Sequence, residues 1–205
     1  MNNPWEEISL SEYRQALDSD PEHRTRILSA MKKEQLDEYP GTSVMVLGAA
    51  HGNGLEHVDR KKFKTVYGVD INQEYLQSAV KRNPHLKGAL ECICLDMETE
   101  FEKLPWADLV IANLVTEYIG YQGLMNVIRQ VRPEYVTCIL ETDSEGNTGT
   151  SYCTKVFPQL ERVSKRVCCS DLERALDRIG YNSIKTEQHK LPGGNMLVRI
   201  DFAFC

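Results

Sequence analysis

The chain has 205 residues, 41% of them hydrophobic and 26% charged, with a formal net charge of −6. That length suffices for one domain that buries its own core without disulfide or metal staples, and no apolar run approaches the roughly 20 residues of a membrane span. The negative balance speaks against a nucleic-acid backbone as the main ligand, since such binding depends on Lys and Arg neutralising phosphates. A small-molecule substrate fits better. The start, Met1-Asn2-Asn3-Pro4-Trp5-Glu6-Glu7, has neither the basic residues nor the apolar stretch of a secretory signal, and seven scattered cysteines without a Cys-x-x-Cys read as reduced thiols. The expectation is a cytoplasmic protein. Cys92 and Cys94 alternate onto one face of a strand, but a zinc site needs about two more soft ligands and none is near, so no metal is expected.

In chain order, the pattern predicts a helix over Leu10 to Leu17 and a second opened by Asp20-Pro21-Glu22, with Asp20 as cap and Pro21 in the first turn. The second carries an apolar stripe of Ile27, Leu28, Met31 and Leu36 and ends near Glu38, before Pro40-Gly41. This pair precedes the sheet and can close over it. Nearly continuous apolar runs then predict parallel strands, covered on both faces, at Val44 to Leu47, Thr65 to Val69, Leu90 to Leu95, Leu109 to Ala112 and Tyr135 to Leu140. Helices fall between them at Gln73 to Arg82 and about Gln122 to Val131, where Pro133 stops the second. The segment Glu141 to Thr150 is polar and turn-rich, and Ser151 to Val167 is mixed; a loop that long is usually functional or mobile. A capped amphipathic helix follows from Ser170 to Ile179, closed by Gly180. Tyr181 to His189 and Met196 to Phe204, joined by Leu191-Pro192-Gly193-Gly194-Asn195, read as a β-hairpin. The fold class is therefore α/β with a doubly wound sheet.

The densest chemical signal is Val44-Met45-Val46-Leu47-Gly48-Ala49-Ala50-His51-Gly52-Asn53-Gly54, followed by a strand ending in Asp70. A small-residue turn after a buried strand lets backbone N–H groups approach a ligand, and an acid at the next strand's tip can accept from both ribose hydroxyls. That pairing predicts a nucleoside-cofactor site. A dinucleotide turn wants Gly-x-Gly-x-x-Gly, but counting from Gly48 the chain has Ala50 and Asn53 at the second and third glycine positions. A nucleoside with an amino-acid tail, S-adenosylmethionine, suits the turn better.

On these residues the chain resembles the class I S-adenosylmethionine-dependent methyltransferases, over about Val44 to Phe204. Gly48-Ala49-Ala50-His51-Gly52 is similar to that family's glycine motif and Asp70 to its ribose-binding acid. Leu95-Asp96-Met97 resembles the adenine-edge motif, and Asp108 to Val115 the strand-four motif. The resemblance implies a Rossmann-like seven-stranded sheet with a C-terminal antiparallel hairpin. It also implies one domain over 1–205, with residues 1–40 as a helical lid and 44–205 as the catalytic core. By it the Gly48 to Gly52 backbone passes beneath the methionine part, with Asn53 beside it. Asp70 holds the ribose, Asp96 the adenine amino group, and Ile71 and Met97 sandwich the ring, while Asn113 and Leu114 lie at the strand-four tip near the ammonium. The family usually has an acid two residues before the first glycine, where this chain has Val46; His51 or Asn53 is a candidate replacement.

Methyl transfer needs orientation and exclusion of water, and a hydroxyl or protonated amine also needs a proton acceptor. The catalytic candidates are Glu117 and Tyr118 after strand four, with Glu117 first; Tyr121, Glu141 and Asp143 lie at nearby strand ends. Strand four continues Asn113-Leu114-Val115-Thr116, without the Asn-Pro-Pro-aromatic signature associated with methylation of nucleobase or glutamine amino groups. Arg60-Lys61-Lys62-Phe63-Lys64 reads as a solvated bend. Two alternatives remain: a non-enzymatic sensor of S-adenosylmethionine or S-adenosylhomocysteine, and a nicotinamide-dependent oxidoreductase. For the latter, Tyr152-Cys153-Thr154-Lys155 misses the Tyr-x-x-x-Lys spacing by one residue.

Overall fold

The computed structural model of the chain describes residues 3–52, 54–148 and 152–205. Three helices, α1 (Pro4–Glu7), α2 (Leu10–Asp18) and α3 (Glu22–Glu38), precede the sheet. Then follow β1 (Ser43–Leu47), β2 (Thr65–Asp70), α4 (Gln73–Arg82), β3 (Leu90–Cys94), β4 (Leu109–Asn113), α5 (Thr116–Val131) and β5 (Tyr135–Thr142). The chain ends with α6 (Tyr152–Val156), α7 (Cys169–Asp177), β6 (Tyr181–Lys190) and β7 (Met196–Phe204). The seven strands lie in the order β3-β2-β1-β4-β5-β7-β6. All neighbours pair in parallel except β7, which runs antiparallel to both β5 and β6. The doubly wound sheet and its terminal hairpin thus form as the sequence predicts.

Alternating strand residues feed two cores. Met45, Val110 and Cys138 pack with Leu124, Val127 and Ile128 of α5 and Leu172 and Leu176 of α7. Val44, Val66, Leu109 and Ile111 face Leu36 and Tyr39 at the end of α3 and Ala79 of α4. Covering both faces is what makes the parallel strands apolar throughout. It also leaves their carboxyl ends as the open edge where an α/β sheet binds ligands.

Three local readings need correction. α3 starts after Pro21, which sits at the N-cap without a side-chain hydrogen bond, and Asp20 bonds Arg24 instead of capping. A buried guanidinium in reach is a stronger partner for a carboxylate than a helix amide. α5 begins at Thr116 rather than Gln122, with a break at Gly120 (φ 69°, ψ 178°) that interrupts the helical period a sequence can display. The short α1 lies where no helix is predicted. Its box is local: the Asn3 side chain accepts from the Trp5 N–H and Glu6 accepts from the Asn3 N–H. Over residues 143–147 the polar stretch after β5 forms a turn, as its composition predicts: Asp143 Oδ1 accepts from the Glu145 and Asn147 N–H groups at 2.8 and 3.0 Å. Among the described residues, no helix is long and apolar enough to cross a membrane.

Candidate cofactor and acceptor site

The turn after β1 coils at the carboxyl edge. Gly48 (φ 63°), Ala50 (φ 47°) and Gly52 (φ 92°) all take left-handed backbone, which for Ala50 is a strained conformation. The Ala49 N–H donates to the Val69 carbonyl at 3.0 Å, tying the turn to β2. The Ala50 N–H then donates to Asp70 Oδ2 at 2.8 Å, and the Asn72 N–H to Oδ1 at 2.9 Å. Asp70 is buried, and this burial pushes its carboxyl up to about 6 against the pull of those N–H groups. Gly52 packs on α4: a Cβ there would lie 2.6 Å from Asn83 Nδ2 and 3.1 Å from Ala79 Cα. Gly52→Ala is expected to cost on the order of 1–3 kcal/mol of stability, from both strain and crowding. A denaturant midpoint equal to wild type would show that the turn yields freely.

A cavity of about 430 Å³ opens above this turn. Of the residues predicted to bind cofactor, Gly48, Ala50, His51, Asp70, Ile71, Asp96, Met97, Asn113 and Leu114 line it; Ala49 and Gly52 support the turn without lining it, and Asn53 lies outside the described residues. Asp96 accepts the Glu98 N–H at 2.8 Å, fixing the bend after β3. Asn113 exchanges amide hydrogen bonds with Gln35 of α3, at 2.7 and 2.9 Å. Both ring nitrogens of His51 face Arg82 Nη1, and burial with the Arg82 charge lowers the imidazole to about 4. His51 is therefore neutral at physiological pH and already engaged. Val46 meets the cavity as an apolar side chain.

Of the two catalytic candidates, Tyr118 lines the cavity and Glu117 does not. Neighbouring residues on a helix project about 100° apart. Glu117 accordingly faces β5, where its Oε1 accepts the Glu141 N–H at 3.3 Å. It is 4% exposed, and burial pushes its carboxyl up to about 7. The expectation that Glu117 meets the acceptor is thus corrected. Sequence reasoning also missed an aromatic panel. Trp5 meets Tyr118 edge-on at 5.0 Å, and Tyr13 stacks on Tyr75 at 4.9 Å and meets His51 at 5.6 Å. Tyr13 shares an apolar stripe with Ala16 and Leu17, a pattern that marks a packed helix without saying what it packs against. The remaining roof comes from Arg24, Leu28 and Lys32 of α3 and from Tyr152 and Cys153 of α6. All seven cysteines are free, and the described residues contain no group of three or more His, Cys, Asp or Glu suited to a metal ion.

A parallel sheet reversed only at β7, with helices on both faces, is the Rossmann-like methyltransferase fold. Residues 45–134 match the family model described as a methyltransferase domain, and the strand order agrees with the fold of such domains. The chain is similar to the N-methyltransferase NodS from Bradyrhizobium japonicum WM9 in complex with S-adenosyl-L-homocysteine: TM-score 0.70, 12% identity, 99% of each chain covered. It is similar to magnesium protoporphyrin IX methyltransferase from Synechocystis PCC 6803 with bound S-adenosylmethionine: TM-score 0.60, 14% identity, 89% of this chain and 79% of that one. It is also similar to the [4+2]-cyclase SpnF, with a TM-score of 0.67, 13% identity, and 88% and 80% covered. Comparison with curated protein sequences returns no match.

Proposed function

We propose that the chain is an enzyme that transfers a methyl group from S-adenosylmethionine to a small-molecule acceptor. The observation that carries this reading is the Ala50 N–H bond to Asp70, which locks the left-handed turn to the tip of β2 at the floor of the cavity. The residues fit the cofactor. Asp70 is a desolvated carboxylate whose two described hydrogen bonds leave lone pairs for ribose hydroxyls. Ile71 and Met97 offer apolar faces for a base, Asp96 an acceptor for its amino group, and Asn113 a polar end to β4. The aromatic panel of Trp5, Tyr13 and Tyr118 supplies a dry wall beside a sulfonium, where ring faces attract a cation.

When bound, the cofactor supplies an electrophilic methyl group. What the protein adds is orientation and exclusion of water. α1 to α3 and α6 roof the cavity on the side opposite the sheet, so we assign residues 1–40 the role of a lid over the 44–205 core. Asn72, at the start of α4, ties that lid down by donating to the Trp5 carbonyl at 2.9 Å.

Calorimetry with S-adenosylmethionine, S-adenosylhomocysteine and NAD is the direct test: the first two are expected to bind and NAD is not. Hydrogen exchange on the same samples should show added protection in α1 to α3 with S-adenosylhomocysteine. Binding of NAD alone would overturn the assignment, and equal protection in both states would remove the lid.

A further inference from the structure

Beyond Asp70 the cavity wall holds a second charged cluster, to which the cofactor reading above assigns no role. Arg24 on α3 donates Nη1 to Asp20 Oδ2, and its Nε and Nη2 to Glu141 Oε2 at the end of β5, at 3.2 and 2.9 Å. Asn195 in the β6–β7 turn donates to Glu141 Oε1 at 2.9 Å, and the Glu141 N–H meets Glu117. All four charged residues are buried, between 4% and 9% exposed. Three carboxylates therefore share one guanidinium, so the fully ionised cluster carries −2. Lys32, farther along α3 on the same cavity wall, adds a weaker attraction to Asp20.

The deficit has a location. Asp20 Oδ1 and Glu117 Oε2 are both buried without a hydrogen-bond partner, and an unpaired buried charge is costly. Burial raises both carboxyls, so the cluster tends to hold a proton when nothing else supplies positive charge. Asp20 and Arg24 are on the cavity wall, beside Trp5, Leu28 and Tyr118, whereas Glu117 and Glu141 stand behind them. Of the two unpaired oxygens, only that of Asp20 belongs to a residue lining the cavity.

Resting on the methyltransferase reading, we propose that the methyl acceptor is an amine with a small apolar or aromatic body, bound with its ammonium at Asp20. Arg24 is the positioning residue: its bonds to Glu141 fix the guanidinium, and the guanidinium holds Asp20 Oδ2, leaving Oδ1 for the ligand. The acceptor ammonium gives one proton to Oδ1, which frees its nitrogen lone pair. That lone pair forms the new N–C bond to the methyl group as the C–S bond breaks, the bonding pair remaining on sulfur. The product leaves as an N-methylammonium and the proton on Asp20 returns to solvent.

The test uses the full chain saturated with S-adenosylhomocysteine, titrated calorimetrically with phenethylamine and with 3-phenylpropionate, its carboxylate counterpart. Phenethylamine is expected to bind and the carboxylate is not. Asp20→Asn is expected to weaken the amine tenfold or more, while Asp20→Glu, which keeps the charge, retains most of the affinity. S-adenosylhomocysteine binding by each variant, measured first, reports folding. Equal amine affinity in Asp20→Asn, preference for the carboxylate, or no binding of the amine by wild type would overturn the proposal. Any of these with S-adenosylhomocysteine still bound leaves the cofactor reading standing, and failure of wild type to bind S-adenosylhomocysteine overturns that reading itself.

Discussion

Asp70→Asn is expected to weaken S-adenosylhomocysteine binding roughly a hundredfold, about 3 kcal/mol, while making the stability of the ligand-free protein less dependent on pH. The loss follows from acceptor count: a carboxylate serves two backbone N–H groups and two ribose hydroxyls, whereas an amide has one acceptor oxygen and turns donors toward the rest. The pH effect follows from burial. With its carboxyl at about 6 in the folded protein, Asp70 binds the proton more tightly there than in the unfolded chain. The native state therefore holds more protons between the ordinary carboxylate range and about 6, and stability falls as pH rises through that window. At pH 7 the ionised side chain costs on the order of 1–3 kcal/mol, which Asn does not incur. The wild-type thermal midpoint should rise relative to the variant's as pH falls through 6, because protonation removes that cost. Ligand affinity runs the opposite way, since only ionised Asp70 accepts from both hydroxyls: wild type should lose about tenfold in affinity at pH 5, and the variant should not. His51, lowered to about 4, stays neutral across that range. Undiminished affinity in Asp70→Asn would remove Asp70 from the ribose site.

What the sequence displayed of this site is what it encodes locally. The bounds of α4, Gln73–Arg82, and of β7, Met196–Phe204, are those read from periodicity, because Asn72 caps the helix with its own side chain and Gly193 and Gly194 turn the hairpin. The glycine turn and Asp70 were legible for the same reason: twenty residues separate Ala50 from the carboxylate it bonds, one strand–turn–strand unit. The acceptor wall was not legible. Arg24 and Glu141 are 117 residues apart, and Asp20 sits in a sequence context that favours a helix cap. Only the docking of α3 across the tip of β5 makes a buried pair of them. The break at Gly120 likewise hid the first turn of α5, and with it the facing of Glu117 away from the cavity.

The same docking carries the other large effect. Arg199→Met is expected to cost about 3–5 kcal/mol of stability and to weaken cofactor binding severalfold, although it lies on β7, away from the cavity wall. Arg199 is fully buried beneath the acidic end of α3. It donates to Glu38 at 2.7 Å and, through Nε and Nη2, to Asp201 at 2.9 and 2.6 Å. Asp201 accepts the Tyr39 hydroxyl at 2.6 Å and the Thr137 hydroxyl. Thr137 accepts from Gln35 at 2.8 Å, and Gln35 pairs with Asn113 on the cavity wall. Removing the cation leaves Asp201 ionised and enclosed, so it must take up a proton or let α3 lift. Lifting moves Gln35, Leu28 and Arg24 together, which is how a β7 substitution reaches the site. Denaturant unfolding of Arg199→Met and of the double variant with Asp201→Asn separates the causes. The double variant should recover part of the lost stability because the stranded charge is gone, and a single variant as stable as wild type would show that this network does not hold α3 in place.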